Sequence, residues 1–66
     1  MTINVNNQSQ SIAENSSVKH LLEQLNVVAN GIAVAINNEI VPKKIWEKTV
    51  LQQKDQVTII QATQGG

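Results

Sequence analysis

The hydrophobic period of this chain changes twice, and that alternation restricts its fold more than any other feature. "TINVN" (2–6) places Ile3 and Val5 on one side and Thr2, Asn4 and Asn6 on the other, the two-residue period of a half-buried strand. "ENSSVKHLLEQL" (14–25) then puts Val18, Leu21, Leu22 and Leu25 at i, i+3, i+4 and i+7, the stripe of an amphipathic helix. Past it, "IAVAI" (32–36) is a β-branched and alanine run suited to a central strand. "QVTIIQ" (56–61) again alternates, with Val57 and Ile59 on one face and Thr58 and Ile60 on the other.

The segments between these elements predict their connections. Asn6-Asn7-Gln8 is a tight-turn sequence, because asparagine tolerates positive φ, and it leads into a short second strand "SQSIA" that carries Ile12 inward. Ser17, with Ser16 as competitor, is the expected N-cap of a helix over Val18 to Leu25, and Asn30-Gly31 is its expected breaker. Asn37-Asn38 turns the chain into "EIV", which Pro42 ends because it has no N–H to donate to a ladder. "KKIWEK" reads as a brief helical turn or loop that tucks Ile45 or Trp46 against the core, and "TVLQQKDQ" is turn-rich. The resulting order, β β α β β (turn) β, predicts an α+β domain of the β-grasp, ubiquitin-like kind. It has a mixed sheet of about five strands with one main helix packed on one face. The domain is expected over 1–61, with 62–66, "ATQGG", as a flexible C-terminal tail.

Composition narrows the function. Sixty-six residues hold one domain, close to the lower size at which packing alone sustains a core, and the absence of cysteine removes disulfides and thiolate metal sites. Five lysines, no arginine, one aromatic side chain and a formal net charge of zero argue against nucleic acid as a partner. No apolar run approaches membrane-spanning length and the N-terminus has no leader pattern, so the sequence reads as a cytoplasmic protein without a membrane role.

Catalytic and metal-binding chemistry has no visible seat. His20 is the one histidine, placed off the apolar stripe of the helix, where such a residue is ordinarily solvated. Glu14, Glu23, Glu39, Glu47 and Asp55 are scattered singly, and no ligand pair recurs at metal-binding spacing. What remains is the tail. Five extended residues reach roughly 16 to 18 Å, and two terminal glycines narrow the chain to bare backbone, leaving the last carbonyl open to attack. A terminal carboxylate on such a tether becomes an electrophile once a partner activates it, for example as an acyl adenylate. A frayed end is the plain alternative for any Gly-Gly terminus.

The stretches "VKHLLEQL", "AVAINNEIVPKKIWEKTVLQQKDQVTII" and the terminal "GG" resemble the ThiS family, the sulfur carrier proteins of thiamine biosynthesis. The likeness covers most of the chain in order and spacing, including "VP" before a basic residue and Trp46 four positions past Pro42. Fold and tail are shared with the small subunit of molybdopterin synthase, but "NNEIVPKKIW" and the spacing from "DQVTII" to the glycines favour ThiS. Family members often carry Arg where Lys43 stands and Gly where Lys54 stands, the second of which bears on the turn before the last strand.

The resemblance implies a carrier and not an enzyme. Gly66 would be adenylated by a ThiF-like enzyme using ATP and magnesium, with no cofactor held by this chain. It would then be converted to a thiocarboxylate with sulfur from a cysteine desulfurase or related donor, and discharged to thiazole synthase, ThiG. Gln64, Gly65 and Gly66 would enter the partners' active sites. Ile60, at the root of the tail and on the face away from the helix, is the expected partner contact, with Ala33 and Ala35 permitting close approach on the same face. Trp46 is expected as a lid on the core, and Lys43 and Lys44 as solvated. The alternatives are a ubiquitin-like modifier that joins Gly66 to lysine amines, and an interaction module whose tail has no role.

Overall fold

The computed structural model describes residues 1–61, and the positions 62–66 expected as a tail lie outside the described residues. The first two strands, β1 (Thr2–Val5) and β2 (Gln8–Ser11), form an antiparallel hairpin with Val5 opposite Gln8 and Thr2 opposite Ser11. Only Asn6 and Asn7 make the turn, at φ 50° and 68°. Two consecutive left-handed residues define the type I′ turn, whose twist matches that of the flanking strands, and asparagine is among the few side chains that accept it. Ile12 falls just past β2, yet its N–H donates to the Met1 carbonyl at 2.9 Å and its side chain is buried as expected.

The helix α1 spans Val18–Gln24 and is capped by Ser17, whose hydroxyl accepts from the His20 N–H at 3.2 Å. Val18, Leu21 and Leu22 are buried and Leu25 is half-buried, so the predicted stripe is the packed one. Each fully buried aliphatic side chain contributes about 1.5–3 kcal/mol relative to exposure. The expected breaker is wrong. Asn26, not Asn30-Gly31, ends the helix: it takes φ 58°, its N–H reaches the Glu23 carbonyl, and the Val27 N–H reaches that of Leu22. That pair of bonds is a Schellman motif, which satisfies carbonyls the last turn would otherwise leave open. Asn30-Gly31 instead makes the turn into the next strand, with Gly31 at φ 72°.

Strands β3 (Ile32–Ile36) and β4 (Glu39–Val41) repeat the first device: Asn37 and Asn38, at φ 50° and 71°, close a second two-residue hairpin with Ile36 opposite Glu39. A 3-10 turn at Lys43–Ile45 follows Pro42 and delivers Trp46 into the core, where the indole Nε1–H donates to the Val41 carbonyl at 2.8 Å. Ile45 is 39% exposed against 5% for Trp46, so Trp46 is the lid. The last strand, β5 (Gln56–Gln61), pairs parallel with β1 and antiparallel with β3, giving the order β2-β1-β5-β3-β4. The middle of the sheet thus belongs to β5, and β3, flanked by β5 and β4, is an interior strand as expected. This is the β-grasp arrangement. One sheet face, carrying Ile3, Val5, Val34, Val41 and Val57, packs with α1, Ile12, Trp46 and Leu51 into a single core.

Candidate functional site: the open sheet face and the end of the last strand

Register decides what the other sheet face shows. Side chains directly opposite each other across a ladder share a face, so the pairs Ala33–Ile60, Ala35–Thr58 and Ala35–Ile40 put these five residues together, opposite the core. Ile60 is 52% exposed, the surface aliphatic that the alternation in "QVTIIQ" predicts. Ala33 is half-buried beside it. Ala35 lies on the predicted face but is only 8% exposed, enclosed between Thr58 and Ile40, so it forms the floor of the patch. Ile40, at 66% exposure, is a member that sequence reading missed. Its signal was present: in "EIV" the alternation that sends Val41 inward sends Ile40 outward.

β5 is held by both hairpin turns, on opposite sides and at different points along its length. On the β1 side Asn6 extends the ladder with its own side chain: Oδ1 accepts the Ile59 N–H at 2.8 Å and Nδ2 donates to the Ile59 carbonyl at 3.3 Å. The Asn6 backbone N–H adds a bond to the Val57 carbonyl at 2.9 Å. On the β3 side Asn37 does the same at the other end of the strand, where its Oδ1 accepts the Gln56 N–H at 3.0 Å and its backbone N–H reaches the Gln56 carbonyl at 2.8 Å. The Asn37 amide also donates to Asp55 Oδ1 at 3.2 Å, while Asp55 Oδ2 accepts the Gln52 N–H at 2.8 Å. In each turn the first asparagine therefore has two roles, forming the bend and fastening β5. Sequence reading recognised only the bend, because the second role depends on which strand lies alongside.

His20 is exposed, as expected of a surface histidine, but it is engaged. Its Nδ1 accepts the Ser17 N–H at 3.1 Å, completing a capping box in which histidine takes the place usually held by Glu or Gln. That acceptor role puts the proton of the neutral ring on Nε2. Lys43 and Lys44 are exposed, in line with expectation. Among the described residues there is no concave pocket and no group of three or more His, Asp and Glu side chains able to hold a metal ion. Among the described residues no helix is long and apolar enough to cross a membrane. Gln64, Gly65 and Gly66, the positions expected to enter partner active sites, lie outside the described residues.

A five-stranded β-grasp sheet with an apolar patch on its open face and a last strand fastened by flanking turns defines a small α+β domain of the ubiquitin-like class. Comparison with known proteins narrows that class. Residues 3–66 match the ThiS family. The chain is 39% identical over 66 residues to the sulfur carrier protein ThiS of Escherichia coli (strain K12), covering all of both chains. It is 29% identical to the uncharacterized protein ycf40 of Porphyra purpurea, over all of this chain and 93% of that one. The crystal structure of the thiamine biosynthesis protein ThiS from Geobacter metallireducens superposes with a TM-score of 0.87 at 28% identity, over the full length of both. The chain belongs to the ThiS family.

Proposed function

We propose that this protein is a sulfur carrier of thiamine biosynthesis that acts as a co-substrate, through the carboxylate of Gly66. The observation that carries this reading is the family match through residue 66, joined to full-length likeness to a sulfur carrier protein. In the activation step a ThiF-like enzyme directs a Gly66 carboxylate oxygen at the α-phosphorus of ATP, with magnesium on the phosphates; pyrophosphate leaves and a glycyl adenylate forms. A persulfide sulfur, formed by a cysteine desulfurase or related donor, then displaces AMP to give an acyl disulfide, and a thiol cleaves its S–S bond, itself going to a disulfide and leaving a thiocarboxylate for thiazole synthase, ThiG. Use of ATP and these partners assigns the work to the cytoplasm.

The chain's own contribution is presentation. A partner that grips the patch of Ile60, Ile40, Ala33 and Ala35 takes hold of the sheet at the strand from which the tail departs. The Asn6 bonds to Ile59 then keep the root of the tail in a fixed relation to that grip. Rigidity up to Gln61 lowers the entropy lost when residues 62–66 thread into an active site.

The test is intact mass after incubation with the activating enzyme, ATP, magnesium and a sulfur donor. Exchange of one oxygen for sulfur at the C-terminus is the expected result, and deletion of Gly66 abolishes it without unfolding the domain. Isopeptide bonds to lysines of other proteins would instead show a modifier. A Gly66-deleted chain that is still charged would overturn the proposal.

A further inference from the structure

The loop between α1 and β3 makes its turn with a dipeptide whose side-chain chemistry the carrier function does not use. Of the eight asparagines in the chain, only Asn30 is followed by glycine. Both Asn30 and Gly31 are exposed, Gly31 has φ 72°, and among the described residues neither the Asn30 side chain nor the Gly31 N–H is hydrogen-bonded. We propose that Asn30-Gly31 is a spontaneous modification site. The Gly31 backbone nitrogen closes on the Asn30 side-chain carbonyl carbon, and the resulting succinimide is opened by water to an aspartyl or isoaspartyl residue.

The bonds balance without any redox partner. The Gly31 N–Cγ bond forms as the Asn30 Cγ–Nδ2 bond breaks; the proton of the Gly31 N–H passes through solvent to the departing nitrogen, which leaves as ammonia. Water then adds to either imide carbonyl and cleaves its bond to the Gly31 nitrogen, so one product keeps the ordinary backbone and the other routes it through the side chain.

Position 30 is singled out by sterics and by hydrogen bonding. Glycine has no Cβ to crowd the approach of its nitrogen, whereas Asn26 is followed by β-branched Val27, whose N–H is committed to the Leu22 carbonyl. Asn6 and Asn37 have their side chains bonded to β5, and Asn7 Oδ1 accepts from the Gln56 side chain at 3.3 Å. The site also has a consequential address. Ile32, two residues on, pairs with Gln61, the last described residue of β5, so a new carboxylate or a lengthened backbone arises beside the root of the tail. Any influence on partner docking rests on the carrier reading; the modification itself does not.

The experiment is ageing of the purified full chain at neutral and mildly alkaline pH, followed by peptide mapping and labelling with an isoaspartyl methyltransferase. Position 30 should gain the deamidated mass and the label at least about tenfold faster than any other asparagine, and faster at the higher pH. Asn30→Gln should lose both signals, since its longer side chain cannot close the five-membered ring. Asn30 is not in the left-handed region, so glutamine fits the backbone there. Equal modification of Asn15 or Asn38, or an intact Asn30 in a chain deamidated elsewhere, would overturn the proposal.

Discussion

Among the described residues, seven other than glycine hold positive φ, and six of them are asparagine. The seventh is Lys54, at φ 71°, in the turn Gln52–Asp55 closed by the Asp55 N–H to the Gln52 carbonyl at 3.0 Å. A left-handed residue in the third place of such a turn is the type II signature, where glycine is preferred. This is the position at which ThiS-like sequences often carry Gly. A Cβ in that region costs about 1–2 kcal/mol, offset in part by the extra chain entropy of glycine in the unfolded state, so Lys54→Gly should stabilise the domain by about 0.5 kcal/mol. Urea unfolding midpoints would check it. Asn6 separates its two roles under a different substitution. Asn6→Gly keeps the positive φ but removes the bonds to Ile59, at an expected loss of about 1 kcal/mol. Amide exchange at Ile59 should accelerate more than in the rest of β5.

At the scale of elements, the helix is short enough that its ends govern it. Seven residues are marginal without packing and caps. Removing the His20 side chain with Ala should cost about 0.5–1 kcal/mol. His20→Glu restores the reach-back to the Ser17 N–H and should recover that stability, because Glu is the ordinary capping-box partner. Thermal unfolding of the three proteins under one buffer distinguishes the cap from a bulk effect of the side chain. The two edge strands are built differently from the interior. β2 is "QSQS", polar on both faces, and β4 has three residues, so neither edge offers a long apolar template for pairing with other chains. The one apolar surface the sheet does expose is a face, not an edge.

For the whole molecule, the proposed function divides stability and recognition between the two faces of the sheet. The inner face and α1 carry the core, so substitutions on the outer face should leave folding nearly intact. Ile60→Asp and Ile40→Asp are each expected to shift unfolding by no more than about 0.5–1 kcal/mol. Each should weaken binding to the activating enzyme about tenfold or more, if the patch is the grip described above. Titration calorimetry alongside chemical denaturation reads both quantities on the same samples. Equal binding by wild type and both variants would separate the docking face from the tail and refute its role.

Much of this was legible in the residues alone because it depends on near neighbours. The two-residue and 3.6-residue periods, the Ser17 cap, the asparagine turns and the inward Trp46 are local consequences of backbone geometry and side-chain chemistry. The "ThiS-like" stretches add family membership to that reading. The misread helix end was also local in kind: Asn26 and Asn30-Gly31 both stop helices, and the chain turns at Asn26, where the left-handed backbone lets the Val27 N–H bond the Leu22 carbonyl. What tertiary structure alone decided are the relations across strands distant in sequence. That β5 takes the centre, that Asn6 fastens Ile59 and Asn37 fastens Gln56, and that Ile40 joins Ile60 around Ala35 all follow from pairing register. Register is set by which apolar faces close over one core, a collective choice that no single stretch of the chain contains.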